Sequence, residues 1–163
     1  MPERIKLSRA RGWRKPEGAI VVARPSKWGN PFRFGDKQYG LVRYGPKHQE
    51  RFGREWDFEG RCSAPGISHH LWFAADDIVE TYVRLATRAE AVELFRLTIF
   101  DPTEGMRMAY PSAGGHFAKF TVEDVRRELA GHDLCCWCPL PVPGEPDICH
   151  AAVLLSIAAG ETP

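Results

Sequence analysis

The chain has no apolar run approaching the length that crosses a bilayer. Its first residues are too charged for a secretory signal. It has no internal repeat and no low-complexity tract, which leaves one domain over residues 1–163 with a long insertion. Charge of one sign is lacking as well: 22 Lys and Arg stand against 21 Asp and Glu, a formal balance of +1. No global polycation therefore draws the protein onto DNA or anionic lipid, and any nucleic-acid contact must come from a local patch. Cysteine is scarce and odd in number, five in all. Most of it is crowded at one place, which fits a reducing compartment better than a disulfide framework. The expectation is a cytoplasmic protein with no membrane partner.

What is present suffices for a real core. The 163 residues are 44% hydrophobic and 26% charged, so the chain needs no staple to fold. Residues 19–23 (AIVVA) read as a buried strand that stops at Arg24-Pro25, and Ser26 through Phe32 read as a loop. The segment 34–70 is rich in Gly, Arg and aromatics and reads as a hairpin insertion or flap, with weak strands at 39–44 and 55–58. Ile78, Val79, Tyr82, Val83 and Leu85 sit at near-helical spacing and predict a helix over 76–86; a capping box at Thr87 to Glu90 opens a second. Residues 106–120 read as loop, and Thr121 caps a helix over 122–130 that stops at Gly131. A strand over 133–138 and a helix over 149–159 complete the chain. This order predicts an α/β fold: a compact, Rossmann-like layered domain with a partly parallel sheet.

The densest chemistry lies in residues 134–150, where Cys135, Cys136, Cys138, Cys149 and His150 stand close together. Cys136 and Cys138 are two apart and would project from one strand face, with Cys135 on the other. A Pro-rich return follows, and Asp147 is placed to cap a helix from Ile148. Cys149 and His150 then fall in that helix's first turn, where the partial positive charge favours a thiolate. Three readings stand. Cys136, Cys138, Cys149 and His150 make a Cys₃His zinc set, with a first gap shorter than usual. Cys149 beside His150 makes a reactive thiol. Or the cysteines are small buried hydrophobes.

Ligands of open α/β sheets gather beyond the carboxyl ends of strands. If the strands at 19–23 and 133–138 are parallel neighbours, the loops after them share one rim. Trp28 and Trp137 would then offer stacking faces, Arg24, Ser26 and Lys27 would take phosphate or polar groups, and Asn30 would pair with a base edge. The competing reading packs Trp28, Pro31 and Phe32 in the core and uses Asn30 to close a turn. A basic N-terminal segment, 1–18, with Arg4, Lys6, Arg9, Arg11, Arg14 and Lys15, is either a nucleic-acid contact or a solvated face. His69, His70 and His116 are weaker acid–base candidates, Asp76-Asp77 reads as a helix N-terminus, and Cys62 as unligated.

Gly12-Trp13-Arg14, then residues 22–32 (VARPSKWGNPF), then the Cys136-Trp137-Cys138 and Cys149-His150-Ala151 triplets together resemble the family catalogued as domain of unknown function 4326. That resemblance implies a small soluble protein of bacteria and their phages, and its name brings no activity. A more distant similarity is to domain of unknown function 488, where a strand ending in Cys precedes a Cys-His helix start and an earlier strand runs into a Pro-x-Ser loop. Cys136, Cys149, His150, Pro25 and Ser26 match those places. Cys138 stands where those relatives carry an acidic residue, so the similarity implies a common pocket rather than a common zinc site.

The resulting expectation is a nucleotide- or base-binding protein that modifies a base or nucleotide, with glycosidic-bond chemistry in view. Asn30, Cys149 and His150 are its catalytic candidates and a structural zinc braces its pocket. Two alternatives stay open: a non-catalytic, zinc-stabilised nucleic-acid-binding module, and a thiol enzyme using Cys149.

Overall fold

A central strand buried on both faces needs neighbours on both edges, and Leu134-Cys135-Cys136 is such a strand. The computed structural model describes residues 1–36, 40–60, 68–74, 77–101 and 120–162. In chain order the elements are β1 (Arg4–Lys6), β2 (Ile20–Val21), β3 (Leu41–Tyr44), α1 (Pro46–Phe52), β4 (Trp56–Gly60), β5 (Ser68–Ala74), β6 (Asp77–Leu85), α2 (Arg88–Phe100), α3 (Val122–Leu129), β7 (Leu134–Cys136) and α4 (His150–Ala158). The protein is an α/β fold with parallel and antiparallel pairing. β1, β7 and β2 lie side by side in that order, all parallel, with both Arg4 and Ile20 in register with Leu134. The carboxyl ends of all three strands therefore open onto one rim.

The second sheet, in the order β4-β3-β6-β5, is antiparallel throughout. Its β3–β4 pair is the hairpin anticipated in residues 34–70, with α1 inside the connection. The sheet also continues past residue 70. Residues 77–85, expected to be helical, form β6 instead. Val79, Thr81 and Val83 are buried while Tyr82 between them is 38% exposed, a period of two. All four are β-branched or aromatic, and pairing with β3 on one side and β5 on the other overrides the approximate helical spacing.

The capped helices form where their boundary residues place them. Thr87 and Thr121 each close a capping box, with Glu90 and Asp124 respectively. Gly131, beyond α3, has φ 79°, the left-handed conformation glycine adopts without strain. Helix α4 starts later than expected, at His150 with Cys149 as its N-cap, and buries Ala151, Val153, Leu154 and Ile157. One continuous core joins these residues to Val22, Leu134, Leu94 and Phe95, and reaches Val42 and Phe58 of the second sheet. Of the loop expected over 106–120, only Phe120 lies among the described residues.

The second sheet encloses a charged knot. Asp57 accepts from Arg43 Nε at 2.6 Å, and its other oxygen lies 3.1 Å from His48 Nε2 and 3.3 Å from Arg54 Nη2. Burial alone would raise this carboxyl, but the bond to His48 and the charge and bond of Arg43 outweigh it and hold the carboxyl below its ordinary value. Its stabilisation is then fully present above about pH 4 and is lost as pH falls through the lower folded value. Asp57→Asn should cost about 3 kcal/mol at neutral pH. In urea melts at successive pH values, the gap from wild type should narrow on acidification below about pH 4; a gap independent of pH would contradict this account.

Candidate metal centre and adjoining cleft

The loop between β7 and α4 contains four prolines and cannot hold itself by backbone pairing. Arg4 of β1 holds it. The guanidinium donates to Asp147 through Nε at 2.5 Å and Nη2 at 2.7 Å, and to the carbonyls of Cys138 at 3.0 Å and Pro139 at 2.8 Å. Asp147, expected as a helix cap, is thus the anionic half of a two-pronged ion pair. Arg4, expected in a basic arm, is only 9% exposed. The fork fixes both ends of the loop, and with them Cys138 and Cys149.

Four side chains converge there. One ligand atom from each of Cys136, Cys138, Cys149 and His150 lies within 4.8 Å of all the others. His150 Nδ1 is 3.9 Å from Cys136 Sγ and 4.0 Å from Cys149 Sγ. A tetrahedron with metal–sulfur bonds of about 2.3 Å has sulfur–sulfur edges of about 3.8 Å, so modest contraction closes the set around an ion. His150 Nε2 is 2.9 Å from the Val22 carbonyl oxygen. A carbonyl can only accept, so Nε2 carries the proton and Nδ1 turns a free lone pair to the sulfurs. Orienting the imidazole through its other nitrogen is a recurrent feature of metal-binding histidines. The site can therefore hold a metal ion.

The sulfurs share their protons unequally. Hydrogen bonds from Cys138 and then Cys149, with the charge of Arg4, pull the Cys136 thiol well below its ordinary value against the opposing effect of burial. Cys149 moves the other way, because its bonds to Cys136 and Cys138 favour the protonated form and burial adds to this. The lowering expected of Cys149 at a helix terminus is thus outweighed by the thiolate beside it. Cys135 points away from the group, and burial pushes its thiol up, as for an inert core cysteine.

Beside this cluster lies a cleft of about 300 Å³. Cys136, Cys138 and His150 line it together with Arg24, Asn30, Phe34, Arg88 and Trp137. The parallel neighbours β2 and β7 do place the two loops on a common rim. Arg24, Asn30 and Trp137 reach the cleft from the residues singled out in the sequence; Ser26, Lys27 and Trp28 do not. Trp28 is buried against Phe120, with ring centroids 4.6 Å apart. Lys27 turns to Glu128 of α3 at 2.5 Å, and Ser26 Oγ is buried without a hydrogen-bond partner among the described residues. Asn30 donates to the Ala91 carbonyl at 2.9 Å and accepts from Phe32 N at 2.8 Å, tying the bend to α2. Gly29 lets the bend close, since a Cβ there would fall 2.8 Å from both the backbone nitrogen and Cγ of Arg24.

Phe34 and Arg88 escaped the sequence reading. Phe34 lay in a segment read as insertion, and Arg88 in the first turn of a helix valued for its cap. Neither residue type nor spacing marked them, since the exposure of Phe34 and the place of Arg88 at the cleft appear only in the fold. Cys62, Asp76 and His116 lie outside the described residues, as do the side chains of His69, His70 and Asp77.

The bend from Val22 to Phe32, the triplet Cys136 to Cys138 and the Cys149-His150 helix start thus form one unit, and a family model matches residues 5–160, all of that unit included. The chain belongs to the Domain of unknown function (DUF4326) family. No curated protein and no solved structure matches it. Within this DUF4326 chain, the Arg4 fork lies one residue before the matched span.

Arg4→Met should cost about 3 kcal/mol, because it strands Asp147 and two loop carbonyls. It should also speed alkylation of Cys138 in metal-free protein. An unchanged denaturation midpoint and an unchanged alkylation rate would show that the loop is held by something else.

Proposed function

We propose that this protein binds a nucleotide or nucleic-acid base, and that its Cys₃His cluster holds a zinc ion that braces the binding cleft. One observation carries the reading: a single cleft is lined by Cys136, Cys138 and His150 of the cluster, by the half-exposed indole of Trp137, and by Arg24. A flat π-face beside a guanidinium suits a base and its phosphate. Its volume falls at the small end of ligand sites, the scale of one nucleotide.

Zinc is favoured by the donors, three sulfurs and an imidazole in tetrahedral reach. Four protein ligands close the coordination sphere, so the ion is structural and leaves no open position for a reacting water. Binding is proposed ahead of base or nucleotide modification. Both polar atoms of the Asn30 amide are engaged, and His150 is committed through both nitrogens once metal is bound. The thiol-enzyme reading is less favoured because Cys149 is fully buried with its thiol pushed up. The nucleic-acid module with a basic arm is less favoured because Arg4 of that arm is spent on an internal ion pair.

Titration of tryptophan fluorescence with deoxynucleosides and their 5′-monophosphates tests the reading. Saturable binding is expected, weakened by about 1–3 kcal/mol in Trp137→Ala. Stripping the metal with a chelator should lower the melting temperature and the affinity together. No binding by any of these probes, or binding indifferent to Trp137, would overturn it.

A further inference from the structure

Many of the described arginines have a carboxylate. Arg4 pairs with Asp147, Arg33 with Asp36, Arg43 with Asp57, Arg84 with Glu90, Arg96 with Glu93 and Arg127 with Asp124. Arg9, Arg11, Arg14 and Arg126 have no carboxylate among the described residues, and nor do Arg24 and Arg88, which differ in lining the cleft. Neither Arg24 nor Arg88 has an ion-pair or hydrogen-bond partner among the described residues. They come from different elements: Arg24 from the bend after β2, Arg88 from the first turn of α2. The cleft thus collects two guanidiniums and no carboxylate among its lining residues, so both can turn to a bound anion.

We infer that Arg24 and Arg88 form a phosphate clamp, so that the cleft takes a phosphorylated nucleotide and holds its phosphate between two guanidiniums while Phe34 and Trp137 face the base. This inference rests on the proposed nucleotide-binding reading and adds to it the group that selects the ligand. Guanidinium is the side chain suited to forked hydrogen bonding of phosphate oxygens. Phe34 and Trp137 are 45% and 46% exposed, and each already carries a cation at its ring: Arg88 5.9 Å from the Phe34 centroid and Arg9 4.9 Å from that of Trp137. Each aromatic wall of the cleft is therefore adjoined by positive charge. Partial burial and the nearby charge of Arg33 lower the proton affinity of Arg24, against the opposing charges of Asp36, Cys136 and Cys138.

The phosphate can come from a free mononucleotide or from the 5′ end of a single strand, and the probes separate the two. Calorimetry on the metal-loaded full chain would compare deoxynucleosides, their 5′-monophosphates, inorganic phosphate, and a short single strand with and without a 5′-phosphate. The monophosphates should bind at least about tenfold more tightly than the nucleosides. Arg24→Gln and Arg88→Gln should each erase most of that difference while leaving metal content unchanged. A further gain for the 5′-phosphorylated strand over the mononucleotide identifies a chain end as the source; equal affinity identifies the free nucleotide. Equal binding of nucleosides and monophosphates would overturn the clamp and leave base binding standing. Binding by none of the probes would overturn both.

Discussion

The Arg4 fork is the contact on which the candidate site depends. A Pro-rich loop between a strand and a helix has few backbone bonds to define its path, so the path is set by a buried guanidinium that grips Asp147 and two loop carbonyls at once. Arg4 can do this because β1 runs parallel to β7 at its edge, with Arg4 in register with Leu134. The same charge lies near enough to Cys136 to favour its thiolate. One side chain thereby links the sheet, the loop and the acidity of the cluster.

The other edge of β7 supplies the second constraint. β2 ends at Val21, and the carbonyl of Val22 takes the Nε2 proton of His150. The imidazole is oriented by the front of the chain and presents its free nitrogen to sulfurs from the back. Because Cys136, Cys138 and His150 also line the cleft, an ion bound by the cluster would stiffen one wall of that cleft. The tie of Asn30 to α2 stiffens the bend beside it. The cleft is thus braced from both loops, which suits a site that must hold a ligand without first rearranging.

The convergence of Cys136, Cys138, Cys149 and His150 was legible in the sequence because cysteines two apart at a strand end and a Cys-His pair at the following helix start project toward one another. The shared rim was legible too, since two strands followed by loops could only bring those loops together if parallel. Other features were hidden for physical reasons. Arg4 looked like part of a solvated basic arm, because a three-residue strand carries no periodic signal and its partner, Asp147, is 143 residues away. Trp28 is a flat aromatic in a loop, and only the packing against Phe120 shows that it belongs to the core. The strand at Asp77–Leu85 was mistaken for a helix because five apolar residues in a short run fit either period until a neighbouring strand is present. Arg88 gave no sign of a role, since an unpaired cation is visible only once the paired ones are known.

X-ray absorption spectroscopy at the zinc edge of the purified protein tests the central claim most directly, because it reads donor atoms and bond lengths together. The account predicts three sulfurs at about 2.3 Å and one nitrogen at about 2.0–2.1 Å, with a sulfur lost in Cys138→Ser. A sphere dominated by oxygen, or a spectrum unchanged by that substitution, would contradict it.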